Sequence, residues 1–410
     1  MQGSFRMSEN SRYEYFRVLA ERYLSEPGKL GRGQIIDEAC RNTGLHRKSV
    51  IRALWRGIGD QDKRPKPGRP RKFSEGAIFT LKRLYRESDF QCSGKLHSMI
   101  PILIEQLGLQ LDEKVLGELK NISPASIDRY LKKYRQLQGT KKRTFTRRGS
   151  RVFRRIIPLK NLSNIAGAPG TMEADTVGHC GESASGEFAF SLTMTDEFSG
   201  WTRNRAVQNK CAIRVQPAIE EIVEKLPFEL NLINFDNGSE FLNHVVHGYF
   251  VTYAKRKGSP FPMTRSRSYH KNDNPRAEQK NWTHVRQIFG YDRIDDERLV
   301  VLMNEIYEVQ NLIQNFFIPQ YKIKSKVRVE TKIKKKYDKP KTPYQRLLES
   351  NISEERKQKL RDQYATLSYP VLRRKREELL SAFIKLQERI KLEKQANQKS
   401  LKVTSAFGNT

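Results

Sequence analysis

The sequence predicts a multidomain α+β protein: helical modules with basic faces, then an α/β core, a small basic β-barrel and C-terminal helices. Three observations carry this expectation. The chain has 410 residues, close to three domains of about 150 residues each. Its 77 basic and 46 acidic side chains leave a net charge of +31, far beyond what solubility needs, so a polyanion such as nucleic acid is the expected partner. Near residue 170 the apolar pattern changes from helical spacing to short strand runs alternating with helices, as in an α/β domain.

Hydrophobic residues at 37% supply cores and exclude wholesale disorder, and 30% charged residues argue against a membrane protein. The densest apolar run, Leu299 to Met303, is far shorter than the roughly 18 residues of a spanning helix. The first residues show no apolar export segment, so a cytoplasmic location is expected. Cys40, Cys92, Cys180 and Cys211 are scattered without a CxxC pair, which fits neither a disulfide framework nor a zinc site.

Residues 1–60 read as a helix-turn-helix domain. Tyr13 to Tyr23 has helical spacing, Pro27 and Gly28 break it, and a second helix carries Ile35, Ile36, Ala39 and Cys40. Gly44 permits the tight turn, and the helix from His46 to Arg56 buries Val50, Ile51 and Leu54 while Arg47, Lys48 and Arg52 face a major groove. Residues 61–72 form a basic linker whose prolines forbid regular structure, with Gly68-Arg69-Pro70 resembling an AT-hook that puts Arg69 into a minor groove. A second helix-turn-helix domain spans 73–137. There Ser123 caps and Pro124 opens a helix that buries Ile127, Tyr130 and Leu131 and exposes Arg129, Lys132 and Lys133. Residues 138–168 are a second basic tether.

The catalytic reading rests on carboxylates. Asp175 lies inside the strand run Gly170 to Gly178, Phe188 to Thr195 and Gly200 to Gln208 complete a meander, and Lys210 to Leu226 is helical. The buried strand Leu230 to Phe235 ends in Asp236-Asn-Gly-Ser, and strand-terminal carboxylates on adjacent strands converge at one sheet edge. Glu278 supplies a third, presented by a helix that Pro275 opens. Hard Mg²⁺ or Mn²⁺ ions take such oxygen ligands, and two of them suit phosphodiester transfer.

Among rivals, Asp196 suits a turn at Phe198-Ser199-Gly200, Glu240 suits the first turn of the next helix, and Asp273 suits a turn. His179, Cys180, Cys211, His244 and His247 give no zinc-ligand pairing. Trp201 and Trp282 read as core anchors.

The strand Asp175, the Asp236-Asn-Gly-Ser-Glu-Phe241 box and the Asp273-Asn274 pair before Glu278 resemble the integrase-core DDE transposases of bacterial insertion sequences, relatives of retroviral integrases. The stretch from Asp236 to Glu278 is longer than that family's spacing, with the excess assigned to Phe250 to Pro262. The resemblance implies an RNase H-like DDE catalytic domain over 169–317, with Asp175, Asp236 and Glu278 holding two Mg²⁺ or Mn²⁺ ions. It further implies cleavage of transposon ends to 3′-OH, joining to target DNA, and a homo-oligomer, dimer or tetramer, bound to double-stranded DNA in the bacterial nucleoid. Arg265, Arg267, Lys271, Lys280 and Arg286 would hold phosphates. A non-catalytic DNA-binding regulator and a structure-selective nuclease of the same fold are the alternatives.

After an amphipathic helix from Leu299 to Phe317, residues 318–350 read as a basic SH3-like β-barrel. The period-two run Lys322-Ile-Lys-Ser-Lys-Val-Arg-Val329 aligns Lys322, Lys324, Lys326 and Arg328 along DNA. Residues 351–410 form a helical tail with a disordered end. In it Leu379, Phe383, Leu386 and Ile390 have coiled-coil spacing, for packing on another subunit or on the barrel.

Overall fold

A computed structural model describes residues 7–59, 72–132, 157–158, 167–267, 275–329 and 332–407. It divides into two compact units, Met1–Lys72 and Phe73–Thr410.

In the first unit, α1 (Glu9–Ser25), α2 (Lys29–Thr43) and α3 (Arg47–Gly59) enclose a core of Phe16, Leu19, Ala20, Ile35, Ile36, Ala39, Val50 and Leu54. Ser8 caps α1 through its side chain. Gly44 ends α2 in the left-handed region at φ 66°, where glycine carries no Cβ penalty, and its N–H reaches the Cys40 carbonyl at 2.9 Å. Arg47, Lys48 and Arg52 are exposed on α3, opposite the buried Val50 and Leu54.

The second unit begins with α4 (Glu75–Glu87), α5 (Ser93–Gln106), α6 (Glu113–Lys120) and α7 (Pro124–Leu131). The segment expected as a separate domain over 73–137 shares one continuous apolar core with the sheet that follows.

That sheet has five strands in the order β3-β2-β1-β4-β5: β1 (Thr171–Gly178), β2 (Phe190–Asp196), β3 (Thr202–Val207), β4 (Leu232–Phe235) and β5 (Met263–Arg265). The first three form the expected antiparallel meander; β4 and β5 run parallel to β1 and to each other. Helix α8 (Ala212–Glu224) joins β3 to β4, and α9 (His244–Lys257) joins β4 to β5. The stretch set aside as excess length, Phe250 to Pro262, is the end of α9 and the approach to β5. Three residues of strand are too short to show a period of two in sequence.

One face of the sheet packs Met172, Ala174, Leu192, Met194 and Phe235 against Val215, Ile219 and Phe250. On the other face, α10 (Pro275–Lys280) continues through a π-helical turn (Asn281–Arg286), and α11 (Glu297–Phe316) brings Met303, Ile306 and Tyr307.

Helix α11 also satisfies the outer edge of β3. Asn304, Asn311 and Asn315 each accept from and donate to one β3 residue: Ala206 at 2.7 and 3.1 Å, Asn204 at 3.1 and 3.3 Å, and Thr202 at 2.9 and 2.8 Å. Alternate residues of an edge strand point their amide and carbonyl outward, and this helix meets each with a side-chain amide.

Beyond α11, the expected barrel is instead a two-stranded antiparallel ribbon of β6 (Ile323–Val329) and β7 (Lys332–Tyr337). The period-two pattern does form a strand. It supplies only one hairpin, because Thr342 and Gln345 form a capping box that starts α12 (Pro343–Leu348). Helices α13 (Glu354–Thr366) and α14 (Tyr369–Phe407) follow, so the tail is helical to Phe407 where disorder was expected.

Phe383 and Ile390 of α14 are buried with Phe289, Met303 and Tyr307, so the apolar stripe folds onto the face of the five-stranded sheet that carries α11 and not onto the ribbon. Tyr369 donates its hydroxyl to the Glu87 carbonyl at 2.6 Å, and Arg376 pairs with Asp89 at 2.7 Å. Among the described residues, no helix is long and apolar enough to cross a membrane.

Two predictions follow from this packing. Asn311→Leu should strand the buried Asn204 N–H and C=O and cost about 2–3 kcal/mol in urea unfolding. A loss under about 0.5 kcal/mol would show that the edge does not depend on it.

The second concerns His179, which is fully buried with Nε2 2.8 Å from Ser191 Oγ and Nδ1 unpartnered. Burial, then the charge of Arg286, lowers its imidazole to about 3. Since that lies below the unfolded value of about 6.5, the stabilisation is present above pH 6.5 and is lost as pH falls toward 3. Going from pH 7 to 5 should remove about 2 kcal/mol in the native protein through this residue. His179→Gln should show a correspondingly flatter acid limb, and identical limbs would refute the assignment.

Candidate active site

Strands β1 and β4 are parallel neighbours, with Ala174 opposite Phe235. The next residue on each chain is Asp175 and Asp236, so the two carboxylates stand abreast at the same level of the sheet. Asp175 is held at both oxygens: Oδ1 accepts the Thr176 N–H at 2.8 Å and Oδ2 accepts Asn281 Nδ2 at 2.6 Å. Asp236 Oδ1 accepts the Gly238 N–H at 2.8 Å.

Both acids are pushed above the usual carboxylate range. For Asp175 the chief cause is burial, then the charge of Asp236. For Asp236 it is burial, then the charge of Glu240. Glu278 is exposed on α10, and its charge acts on both aspartates in the same direction, so all three predicted acids face one region. Among the described residues, no three His, Cys, Asp or Glu side chains are already drawn into a metal-holding group.

Glu278 is positioned by residues that sequence reasoning missed. Glu173, two residues before Asp175 on β1, has no exposed surface. Its Oε2 accepts the backbone N–H groups of Arg276 and Ala277 at 2.8 and 3.2 Å, and its Oε1 meets the Arg276 guanidinium at 2.9 Å. Arg276 also pairs with Glu197 at 2.9 Å. A carboxylate is thus bound to the first turn of α10, where orphan N–H groups favour negative charge. Five residues later the π-helical turn delivers Asn281 to Asp175. An alternating strand that reads Glu173, Asp175, Val177 was the available signal, since a second acid on the inward face requires a partner.

Glu240 differs from its expected placement. It does not lie in the first turn of α9, which starts at His244 with Asn243 as cap. It turns back, is 4% exposed, and accepts Thr176 Oγ1 at 2.8 Å. Asp196 takes its expected turn role: its oxygens accept the Ser199 N–H and hydroxyl at 2.6 Å and the Gly170 N–H at 2.9 Å.

The basic residues separate into exposed and internal groups. Arg129 and Lys132 are exposed around α7, as Lys324 is on β6. Lys280, expected to grip phosphate from a solvated face, is 8% exposed, and burial beside Lys95 holds its ammonium well below its ordinary value. Arg286 is likewise turned inward, donating to the carbonyls of Gly178 and Gly290 at 2.9 and 3.2 Å and stacking on Tyr291. Lys322 binds the Phe198 carbonyl and lies over its ring. Arg265 donates to the Ile157 carbonyl at 3.0 Å, and Arg267 follows β5 half-buried. Lys326 and Arg328 lie on β6. Arg69, Lys133 and Lys271 fall outside the described residues.

The donors fit a divalent cation by chemistry: carboxylate oxygens only, two of them abreast, with Glu240 Oε2 buried and unpartnered beside them. Glu173 tests how the site is held. Glu173→Leu leaves two buried N–H groups and a guanidinium short of an acceptor and should destabilise by about 3 kcal/mol. Glu173→Gln keeps one acceptor and should lose less; equal losses in denaturant titrations would contradict this anchoring.

No protein-family model matches the chain. It is 32% identical over 355 residues to an uncharacterized protein, y4rM, of Sinorhizobium fredii (strain NBRC 101917 / NGR234), covering 83% of this chain and 96% of that protein. Solved structures similar to it include the catalytic core domain of BIV integrase, with 13% identity, 44% of this chain and 94% of that one, and a TM-score of 0.27. Another is the HTLV-2 integrase catalytic core domain in complex with magnesium (trimeric form), with 14% identity, 37% and 88% coverage, and a TM-score of 0.26.

Proposed function

The chain belongs to the family of the Sinorhizobium fredii protein y4rM, and from its own geometry we propose that it is a DNA transposase or integrase of the RNase H-like, DDE type. One observation carries this reading: Asp175 and Asp236 stand abreast on adjacent parallel strands, with Glu278 on a helix tied to the same strand through Glu173. Two buried carboxylates side by side are unfavourable for folding, as their raised proton affinities reflect, and their retention points to a cation-dependent task.

In this reading Asp175, Asp236 and Glu278 hold Mg²⁺ or Mn²⁺. The bound cations would activate the attacking oxygen and neutralise the leaving one in phosphodiester transfer. Asn281 and the Thr176 N–H fix the Asp175 carboxylate, and the Gly238 N–H fixes Asp236, so neither has to reorient when substrate arrives. DNA is held by the exposed cations, Arg47, Lys48 and Arg52 on α3, Arg129 and Lys132 around α7, and Lys324 on β6. The helix-turn-helix reading of α2 and α3 is supported by the left-handed Gly44 turn and the basic outer face of α3. A homo-oligomer on paired DNA ends completes the proposal.

The test uses full-length protein, a 3′-OH-ended duplex donor and supercoiled plasmid in Mg²⁺ or Mn²⁺. Covalent donor–plasmid products are expected. Asp175→Asn and Asp236→Asn should each reduce them at least about 100-fold, as loss of several kcal/mol of charge stabilisation requires. Nicks without joint products would favour a nuclease, and unchanged activity in both variants would refute the catalytic assignment.

A further inference from the structure

We propose that Asp236 and Glu240 form a two-carboxylate seat that takes a divalent cation before DNA binds, making Glu240 a metal ligand in addition to the three acids above. The inference rests on the metal-dependent reading of this site and adds a residue to it.

Three observations place Glu240 there. Between the end of β4 at Phe235 and the cap of α9 at Asn243 the chain bends tightly, so Glu240 lies three residues before the cap and does not serve the helix N-terminus. The side chain points back over Gly238. A Cβ built on that glycine would lie 2.6 Å from Glu240 Cδ, 2.7 Å from Glu240 Oε2 and 2.8 Å from Asp236 Oδ1. The two carboxylates therefore flank the same small gap, which only a residue without a side chain leaves open. Finally, Glu240 Oε1 is held by Thr176 Oγ1, whereas Oε2 is buried without a hydrogen-bond partner.

A buried carboxylate oxygen with no donor, set against a second carboxylate, is strongly unfavourable unless something positive lies between them. Lys210 acts on Asp236 by its charge from a distance, but among the described residues no lysine or arginine forms an ion pair with Asp236 or Glu240 or lies between the two carboxylates. A hard cation meets the requirement, because Mg²⁺ is commonly held by one or two carboxylates and keeps its remaining positions for water and substrate phosphate. Glu278, on the exposed side, would then join when DNA engages.

The experiment is a Mn²⁺ titration of the DNA-free full-length protein by electron paramagnetic resonance, with thermal melts in parallel. Glu240→Gln is isosteric and should weaken Mn²⁺ binding at least about 10-fold. It should also melt higher than the native protein without metal, since a repulsion is removed, and lose the Mn²⁺-induced rise in melting temperature. Glu278→Gln should change Mn²⁺ affinity less than about twofold in the absence of DNA, and Thr176→Val should weaken it by a smaller factor than Glu240→Gln.

The proposal is overturned if Glu240→Gln binds Mn²⁺ like the native protein, if Glu278→Gln loses as much, or if the native protein binds no Mn²⁺ without DNA. Any of these with DNA joining intact and sensitive to Asp236→Asn leaves the transferase reading standing. No Mn²⁺ binding together with no joining removes both.

Discussion

The carboxylate of Glu173 is the fixed point on which the site depends. It is sealed inside the protein, yet it accepts two backbone N–H groups and a guanidinium from the start of α10. Strand and helix are far apart in sequence, and further along both chains Asn281 bonds Asp175 and Arg286 bonds the Gly178 carbonyl. A buried charge that meets two N–H groups and a guanidinium within one helix turn sets both the position and the axial rotation of that helix. The acids follow from that alignment: Asp175 sits two residues along the same strand face, Asn281 one further turn along the helix, and Glu278 on the helix between them. Arg276, shared with Glu197, extends the joint to the end of β2.

The same region concentrates unfavourable electrostatics. The charge of Asp236 raises the proton affinity of Asp175, that of Glu240 raises Asp236, and Lys280 and His284 are buried near Lys95. The π-helical turn between Lys280 and Arg286 also departs from ideal helix geometry, a feature often found at functional sites. Like charges held together in a low-dielectric setting lower the stability of the empty fold, which is the usual situation of sites organised for a ligand and not for rigidity. The rest of the second unit compensates with apolar packing, including Phe235, Phe241 and Phe250 under β4 and the aromatic group of Phe316, Phe317, Tyr344 and Tyr364.

Much of this architecture was legible in sequence because local rules decided it. The three N-terminal helices, the meander and the long α11 follow from periodicity, glycine and proline punctuation, and caps. Asp175 and Asp236 were readable because each lies in or directly after a strongly apolar strand. What escaped was set by distant contacts. The three-residue β5 is a strand only because β4 lies beside it. Glu240 has a sequence position that suits a helix start, and only the bend at Gly238 turns it inward. The roles of Lys280, Arg286 and Lys322 were assigned from charge alone, and composition does not say which cations a fold turns inward. The ribbon shows the converse: an alternating pattern identifies strands, but not how many will close on one another.

The asparagine ladder of α11 has a consequence for how copies of this chain, or any extended peptide, can associate with it. Strand-by-strand growth of a sheet needs an edge whose amides and carbonyls still seek partners. On β3 those positions are occupied by Asn304, Asn311 and Asn315, with a helix lying where the next strand would go. Addition of a sixth strand at that margin is therefore sterically and chemically closed.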